Sequence, residues 1–163
     1  MIDKDMDDWV KHIVDEVCET LKNCPEHNFG NKSKDLLSKQ FGAQTEEGAW
    51  QELGPVSIDV WFERDGKTIA VETEVSALDA SHDLLKLAYT KPDLAILVLR
   101  DADWENGPQR KTFKRIVKRI EALRSCPKNG ALAQAFRSLR IVVVGIKYSD
   151  DGQQTSITPE AFT

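Results

Sequence analysis

Hydrophobic positions recur along the chain with two kinds of spacing, which predict alternating helices and strands. Spacings of three and four residues predict helices near 6–23, 31–40, 79–90, 109–125 and 130–138. Alternating or continuous apolar runs predict strands near 49–53, a pair within 57–75, and strands near 93–99 and 140–146. Two of these strands are apolar throughout and follow helices. The pattern therefore predicts an α/β fold, one three-layer α/β/α domain with a central mixed β-sheet.

The run SIDVWFERDGKTIAVETEV (57–75) predicts a β-hairpin, because two alternating segments flank the pair Asp65-Gly66. An Asp-Gly pair favours a two-residue type I′ turn. Such a turn pairs Arg64 with Lys67 and thereby fixes the register of the whole hairpin. Val60, Phe62, Ile69 and Val71 then share the face that packs, and the other face carries Asp59 and Glu72.

Three carboxylates are predicted to cluster on the polar face of this hairpin. The register places Asp59 opposite Glu72, and Glu74 follows two positions later on the same face. Like charges directly across two strands are destabilising, and this face carries no Lys or Arg within 57–63 or 68–76. Such hard oxygen ligands favour a divalent cation, with a solvated acidic face as the alternative.

Charge is distributed unevenly along the chain, although the net charge is only −5. Acidic residues dominate positions 1–20, and basic residues dominate positions 109–128. On the predicted basic helix 109–125, the residues that lie away from the apolar stripe are Lys111, Lys114, Arg115, Lys118 and Arg119. These side chains could bind nucleic-acid phosphates without reading bases, with an ordinary solvated face as the alternative.

Length and composition favour a single intracellular domain. The 163 residues suit one domain spanning 1–163, with a polar tail at 149–163 that we expect to fray. Three cysteines form no disulfide framework, so we expect a reducing, cytoplasmic location. The sequence has no apolar stretch of membrane-spanning length, and its acidic N-terminus is unlike a secretory signal.

Asp59, the run Glu72-Thr73-Glu74, and the helix and apolar strand that follow resemble the PD-(D/E)XK nuclease superfamily. The order of elements is similar as well: a helix, a three-strand meander, a crossover helix and a strand. The resemblance covers about residues 31–100 and implies a restriction-endonuclease-like fold. Asp59 and Glu72 would be the two acids of the motif. The sequence departs from the family at Glu74, where a lysine is usual, although a subgroup of restriction endonucleases also has Glu-x-Glu.

The resemblance implies a site for Mg²⁺, with Mn²⁺ as a substitute. Its predicted metal ligands are Asp59, Glu72, the Thr73 carbonyl, Glu74 and Glu47. Glu52 and Glu16 are open alternatives to Glu47 as the upstream acid. Glu74 would bind a second ion or orient the attacking water. Lys86, on the next helix, would replace the missing lysine and stabilise charge on the phosphate.

Three functions are compatible with these patterns. The first is a metal-dependent DNA endonuclease of restriction or repair type, as the resemblance implies. The second is a catalytically inactive nucleic-acid-binding or assembly module on the same fold, which the missing lysine favours. The third is a regulatory α/β protein without a nucleic-acid partner, which the net charge of −5 favours. Little chain remains for a specificity domain, so sequence recognition would require loops, a homodimer mate or a partner subunit.

Overall fold

A computed structural model of the protein describes residues 7–43, 56–75, 77–101, 112–127 and 130–162. The helices are α1 (Asp8–Thr20), α2 (Phe29–Phe41), α3 (Ala77–Thr90), α4 (Thr112–Ser125) and α5 (Ala131–Ser138). The strands are β1 (Val60–Arg64), β2 (Lys67–Glu74), β3 (Leu94–Asp101), β4 (Ile141–Tyr148) and β5 (Gln154–Phe162). The predicted strand at 49–53 lies outside the described residues.

The five strands form one mixed sheet in the order β1-β2-β3-β4-β5. β1 and β2 are antiparallel, as are β4 and β5, whereas β3 lies parallel to both β2 and β4. The central strands β3 and β4 are buried on both faces, as their continuous apolar sequences require. The predicted α/β fold with a central mixed sheet is confirmed.

Helices cover both faces of the sheet and create two hydrophobic cores. On one face, α1 and α2 pack through residues such as Ile13 and Leu37. On the other face, α3, α4 and α5 pack through residues such as Leu84, Ile120 and Phe136. No helix in the described ranges has the length and apolar character that a membrane crossing requires.

The hairpin has the register that its turn predicts. Arg64 pairs with Lys67, and the pairing continues to Val60 and Val71. Asp65 and Gly66 have φ values of 56° and 71°, which are the positive values of a type I′ turn. The two turn residues therefore determine which side chains of β1 and β2 meet at the far end of the hairpin.

The polar tail is not frayed, contrary to expectation, because most of it forms β5. This strand pairs antiparallel with β4, and its Ile157 and Ala161 pack on the core formed with α1 and α2. The segment is polar because β5 is an edge strand with one row of side chains in solvent. Pro159 fits there, since only an edge strand tolerates a missing backbone donor.

Candidate active site

The candidate site lies at the end of the hairpin opposite its turn. Glu72, Thr73 and Glu74 are the last three residues of β2, and Asp59 stands at a bend directly before β1. The backbone N–H of Asp59 donates to Glu72 Oε2 at 3.3 Å. Asp59 therefore contacts Glu72 one position beyond the last paired residues, Val60 and Val71. Glu72 is only 1% exposed, so its carboxyl group is isolated from bulk water.

Lys86 contacts the buried Glu72, as the resemblance to the nuclease family implies. Its Nζ lies 2.6 Å from Glu72 Oε1 and 2.8 Å from Asp83 Oδ1, and it also donates to the Ser57 carbonyl at 3.3 Å. Asp83 and Lys86 are three positions apart on α3, so both side chains lie on the same side of the helix. Because Leu84 and Leu87 anchor α3 to the sheet, the helix holds the lysine over the end of β2.

Asp59 has a separate set of partners. Its Oδ2 accepts hydrogen bonds from the Thr73 backbone N–H at 3.0 Å and from the Thr73 hydroxyl at 3.1 Å. Its Oδ1 lies 3.3 Å from Nζ of Lys34 on α2. Two polar groups of Thr73 therefore fix the orientation of the Asp59 carboxylate.

The expectation of three unneutralised carboxylates on one face is therefore wrong in two respects. Asp59 precedes β1 at a bend, where strand alternation no longer dictates side-chain direction, and its carboxylate meets a lysine of α2 rather than of α3. The neutralising groups come from helices, outside the hairpin. Lys34 was missed because no local pattern connects it with a residue 25 positions away.

Three carboxyl groups at the site, those of Glu72, Glu74 and Asp83, have raised pKa values and are harder to ionise than ordinary carboxyl groups. Burial raises the pKa of Glu72 to about 8; the charges of Asp59 and Asp83 add to this effect, and Lys86 opposes it. Burial is also the main cause that raises the pKa of Glu74 and of Asp83. Burial lowers the pKa of Lys86, but its contacts with Asp83 and Glu72 outweigh that effect and keep the ammonium charged. Lys34 and Lys86 form ion pairs with three of the four acids at the site, which are Asp59, Glu72 and Asp83.

An open cleft of about 450 Å³ extends from Asp59 and Glu74 toward α2. Asn28, Gly30, Asn31 and Lys34 line it on the α2 side, together with Arg100 at the end of β3. Arg100 is held by Glu26, with Nη2 2.6 Å from Oε1. The cleft is therefore lined by three carboxylates and two cations, with two amides beside them: Glu26, Asp59, Glu74, Lys34, Arg100, Asn28 and Asn31.

The described residues do not form an all-protein metal cage. Within the described residues, no three His, Cys, Asp or Glu side chains group as they would around a metal. Mg²⁺ nevertheless needs only one or two carboxylates, because waters and substrate phosphates complete its coordination. Asp59 and Glu72, whose carboxylates contact Lys34 and Lys86 respectively, are the acids that the prediction assigns to that role.

The upstream acid of the predicted site is not identified. Glu47 and Glu52 lie outside the described residues. Glu16 forms an ion pair with Arg64 at the turn end of the hairpin, so it is not part of this group of acids.

The predicted basic face of the helix is present on α4. Ile116 and Ile120 are buried against the sheet. The exposed residues of the opposite face include Lys114, Arg115, Lys118 and Arg119; Lys111 lies outside the described part of the chain. Arg119 donates a hydrogen bond to Ser81 near the start of α3. α3 also carries Lys86, so this one helix contacts both the basic face of α4 and the acids of the candidate site.

No protein-family model matches the chain, and no curated protein matches its sequence. The resemblance to PD-(D/E)XK nucleases therefore stays a prediction, which depends on the acids, the lysine and the order of elements around them.

Proposed function

We propose that the protein is a Mg²⁺-dependent endonuclease that hydrolyses phosphodiester bonds in DNA. The observation that carries this proposal is the contact of 2.6 Å between Lys86 and the buried Glu72, beside Asp59. Structural ion pairs seldom bury a carboxylate next to a second one, because the like charges raise the cost of ionising both. Strongly perturbed acids in a cleft are typical of catalytic sites.

Asp59 and Glu72, with the carbonyl of Thr73, would hold the Mg²⁺ ion, and Mn²⁺ could replace it. The ion would neutralise charge on the scissile phosphate and lower the pKa of a water molecule. The Asp59 carboxylate is already oriented by Thr73, so it needs little reorganisation to act as a ligand.

Glu74 and Lys86 would act on the reacting groups. Burial raises the pKa of Glu74 and so makes its carboxylate a stronger base, suited to orient a water molecule and accept its proton. Lys86 donates from a position fixed by Glu72 and Asp83. Its ammonium would stabilise the negative charge that develops on the phosphate oxygens.

The basic face of α4 would bind the DNA backbone. Lys114, Arg115, Lys118 and Arg119 are exposed along one side of a helix anchored beside α3. Contacts from such side chains to phosphates provide affinity without sequence preference. Recognition of a DNA sequence would then come from a second copy of the chain or from a partner subunit.

A catalytically inactive nucleic-acid-binding module is the second candidate. It is favoured by the lysine contacts of both acids, since Lys34 neutralises Asp59 and Lys86 neutralises Glu72. Such a protein would bind DNA through α4 and remain indifferent to divalent metals.

Incubation of the purified chain with supercoiled plasmid and Mg²⁺ or Mn²⁺ separates the two candidates. A nuclease should nick or linearise the plasmid, and Asp59→Asn should abolish the activity. Glu63→Gln is the matched control, because Glu63 is an exposed acid of β1 in the same hairpin. Cleavage that persists in Asp59→Asn would assign the activity to another site. DNA binding without cleavage under either metal would favour the inactive module.

A further inference from the structure

We propose that Arg100, near the end of β3, binds a phosphate of the DNA strand at the candidate site. The inference rests on the proposed nucleic-acid function and adds a binding residue to it. Arg100 lines the open cleft together with Asp59 and Glu74, and its side chain is 21% exposed. A ligand in the cleft can therefore contact the arginine and the candidate acids at the same time.

The strand pairing determines where Arg100 lies. β2 and β3 are parallel, and Glu74 is paired with Leu99, so Arg100 comes one residue beyond the end of β2. Side chains alternate along a strand, and Ile96 and Val98 pack on the core formed with α1 and α2. Arg100 therefore lies on the face that carries α2, at the carboxyl end of the parallel strands. Ligands of open α/β sheets bind at this end.

The contacts of Arg100 satisfy its guanidinium only in part. Nη2 lies 2.6 Å from Oε1 of Glu26. A guanidinium carries five N–H donors, so this ion pair uses only part of the group. In the described structure, Arg100 Nε is buried and has no hydrogen-bond acceptor. A buried donor without an acceptor is costly. An arginine held in place at such a cost is more consistent with ligand binding than with support of the fold.

A phosphate is the ligand that this arginine suits. Each terminal nitrogen of a guanidinium carries two hydrogens, so the fork can donate two N–H bonds to phosphate oxygens while Nη2 also keeps Glu26. Carboxylates alone would repel a phosphodiester, so a strand that approaches Asp59 and Glu74 requires positive charge in the same cleft. Arg100 supplies such a charge from a β-strand, which is a rigid support.

Glu26 allows a binding role for Arg100 to be separated from a structural one, because it lines the same cleft. If the ion pair only supports the fold, loss of either partner should have the same effect on DNA binding. If Arg100 binds a phosphate, the two losses should have opposite effects. Loss of Arg100 removes an attraction for DNA, whereas loss of Glu26 removes a carboxylate that repels it.

The test measures the affinity of the full chain for a fluorescent duplex oligonucleotide by anisotropy, in EDTA at several low salt concentrations. Arg100→Gln should weaken binding about 5- to 20-fold and reduce the slope of log K against log salt by about 1. Arg100→Lys should retain the slope but bind about 2- to 5-fold more weakly, because lysine keeps the charge and lacks the fork. Glu26→Gln should bind as tightly as the unmodified chain or up to about 3-fold more tightly.

Arg140→Gln is the matched control. Nη2 of Arg140 also lies 2.6 Å from an acid, Asp7, and Arg140 directly precedes β4, at the amino end of the parallel strands. Its loss removes the same charge far from the cleft and should change the affinity less than about 2-fold. Equal losses in Arg100→Gln and Arg140→Gln would overturn the inference, because only net charge would then matter.

An equal loss of affinity in Glu26→Gln and Arg100→Gln would also overturn the inference, since the ion pair would then act through the fold. Thermal melting checks that each variant is folded. If Arg100→Gln is not folded, Arg100→Lys decides, and binding as tight as that of the unmodified chain would overturn the inference. The expected losses without metal-dependent cleavage by the unmodified chain would support the inference and refute the nuclease. Absence of DNA binding by the unmodified chain would refute both.

Discussion

Each end of the β1–β2 hairpin has a glutamate in contact with a basic residue, but the pKa of the glutamate is lowered at one end and raised at the other. At the turn end, Glu16 of α1 forms an ion pair with Arg64. Burial opposes ionisation of Glu16, but hydrogen bonds from Arg64 and Gln40 outweigh it and lower the pKa of that carboxyl group. At the open end, burial and neighbouring acids raise the pKa of Glu72 to about 8 despite Lys86.

Packing reinforces this difference. Phe41 stacks on Phe62 near the turn, with ring centroids 4.4 Å apart, and the Arg64 guanidinium lies 5.5 Å from the Phe41 ring. The ion pair between Glu16 and Arg64 is thus accompanied by aromatic contacts. The open end instead faces a cleft with more acids than lysines. One end of the hairpin therefore stabilises the fold, and the other end carries an electrostatic cost that is typical of functional sites.

The largest expected effect is on the rate of DNA cleavage, which should depend on the open end of the hairpin and be nearly independent of the turn end. Glu72→Gln should reduce DNA cleavage by about 100- to 1,000-fold, because it removes a proposed metal ligand and a side chain that positions Lys86. Glu16→Gln should leave the cleavage rate within about 3-fold of the unmodified protein, since Glu16 lies at the other end of the hairpin. Initial rates on supercoiled plasmid at saturating Mg²⁺ provide the measurement. Equal losses in both variants would contradict the division of roles.

The basic face of α4 should affect binding and leave the open end of the hairpin unchanged. Replacement of Lys114, Arg115 and Lys118 by Gln should weaken DNA affinity about 10- to 100-fold at low salt. It should also reduce the slope of log K against log salt by about 2 to 3. The loss should be similar for unrelated DNA sequences. Stabilisation by Mn²⁺, measured by thermal melting, should persist in the triple variant, and its disappearance would count against separate roles for helix and hairpin.

The free energy of unfolding should depend on pH because of Glu72 at the open end of the hairpin. Between about pH 4.5 and 8, folded Glu72 retains a proton that the unfolded chain has released, so its contribution makes stability fall as pH rises. Glu72→Gln removes this contribution. The variant should match the unmodified protein near pH 4.5 and exceed its free energy of unfolding by roughly 1–3 kcal/mol near pH 8 in EDTA. Urea unfolding at several pH values measures the difference. A constant difference across this range would show that Glu72 has an ordinary pKa.

The smallest expected effect is at the turn end, where the substitution should lower the free energy of unfolding instead of raising it. Glu16→Gln removes the partner of Arg64 and should reduce the free energy of unfolding by up to about 1 kcal/mol at pH 7, because the pair is partly exposed. The loss should be smaller in high salt. Thermal melting at two salt concentrations tests this prediction, and stabilisation by the substitution would remove the contrast between the ends.

The sequence predicted those parts of the site that local chemistry determines. Asp65 and Gly66 fix a turn, the turn fixes the register, and the register brings Asp59 beside Glu72. Lys86 was also anticipated, because the resemblance directed attention to the helix that follows β2. In each case the decisive information lies in the hairpin or in the helix that directly follows it.

Contacts between distant elements were not predictable in the same way. Lys34 reaches Asp59 because α2 packs across the sheet, and no periodicity in α2 marks this residue among its other lysines. The pairing of β5 with β4 was missed because the edge strand is polar. Both depend on how the elements pack together, which a single sequence does not encode in its spacing.

The order of the strands in the sheet also has a kinetic consequence. In the described sheet, every strand pairs with its neighbour in the sequence, so no pairing has to wait for a later part of the chain. Topologies with local pairings fold faster than those with distant ones. Residues 57–86, which contain most of the candidate site, can therefore assemble during synthesis before the ribosome has produced the basic helix. Under the proposed function, a nascent chain would have its acids and Lys86 in place before the helix to which DNA binding is assigned.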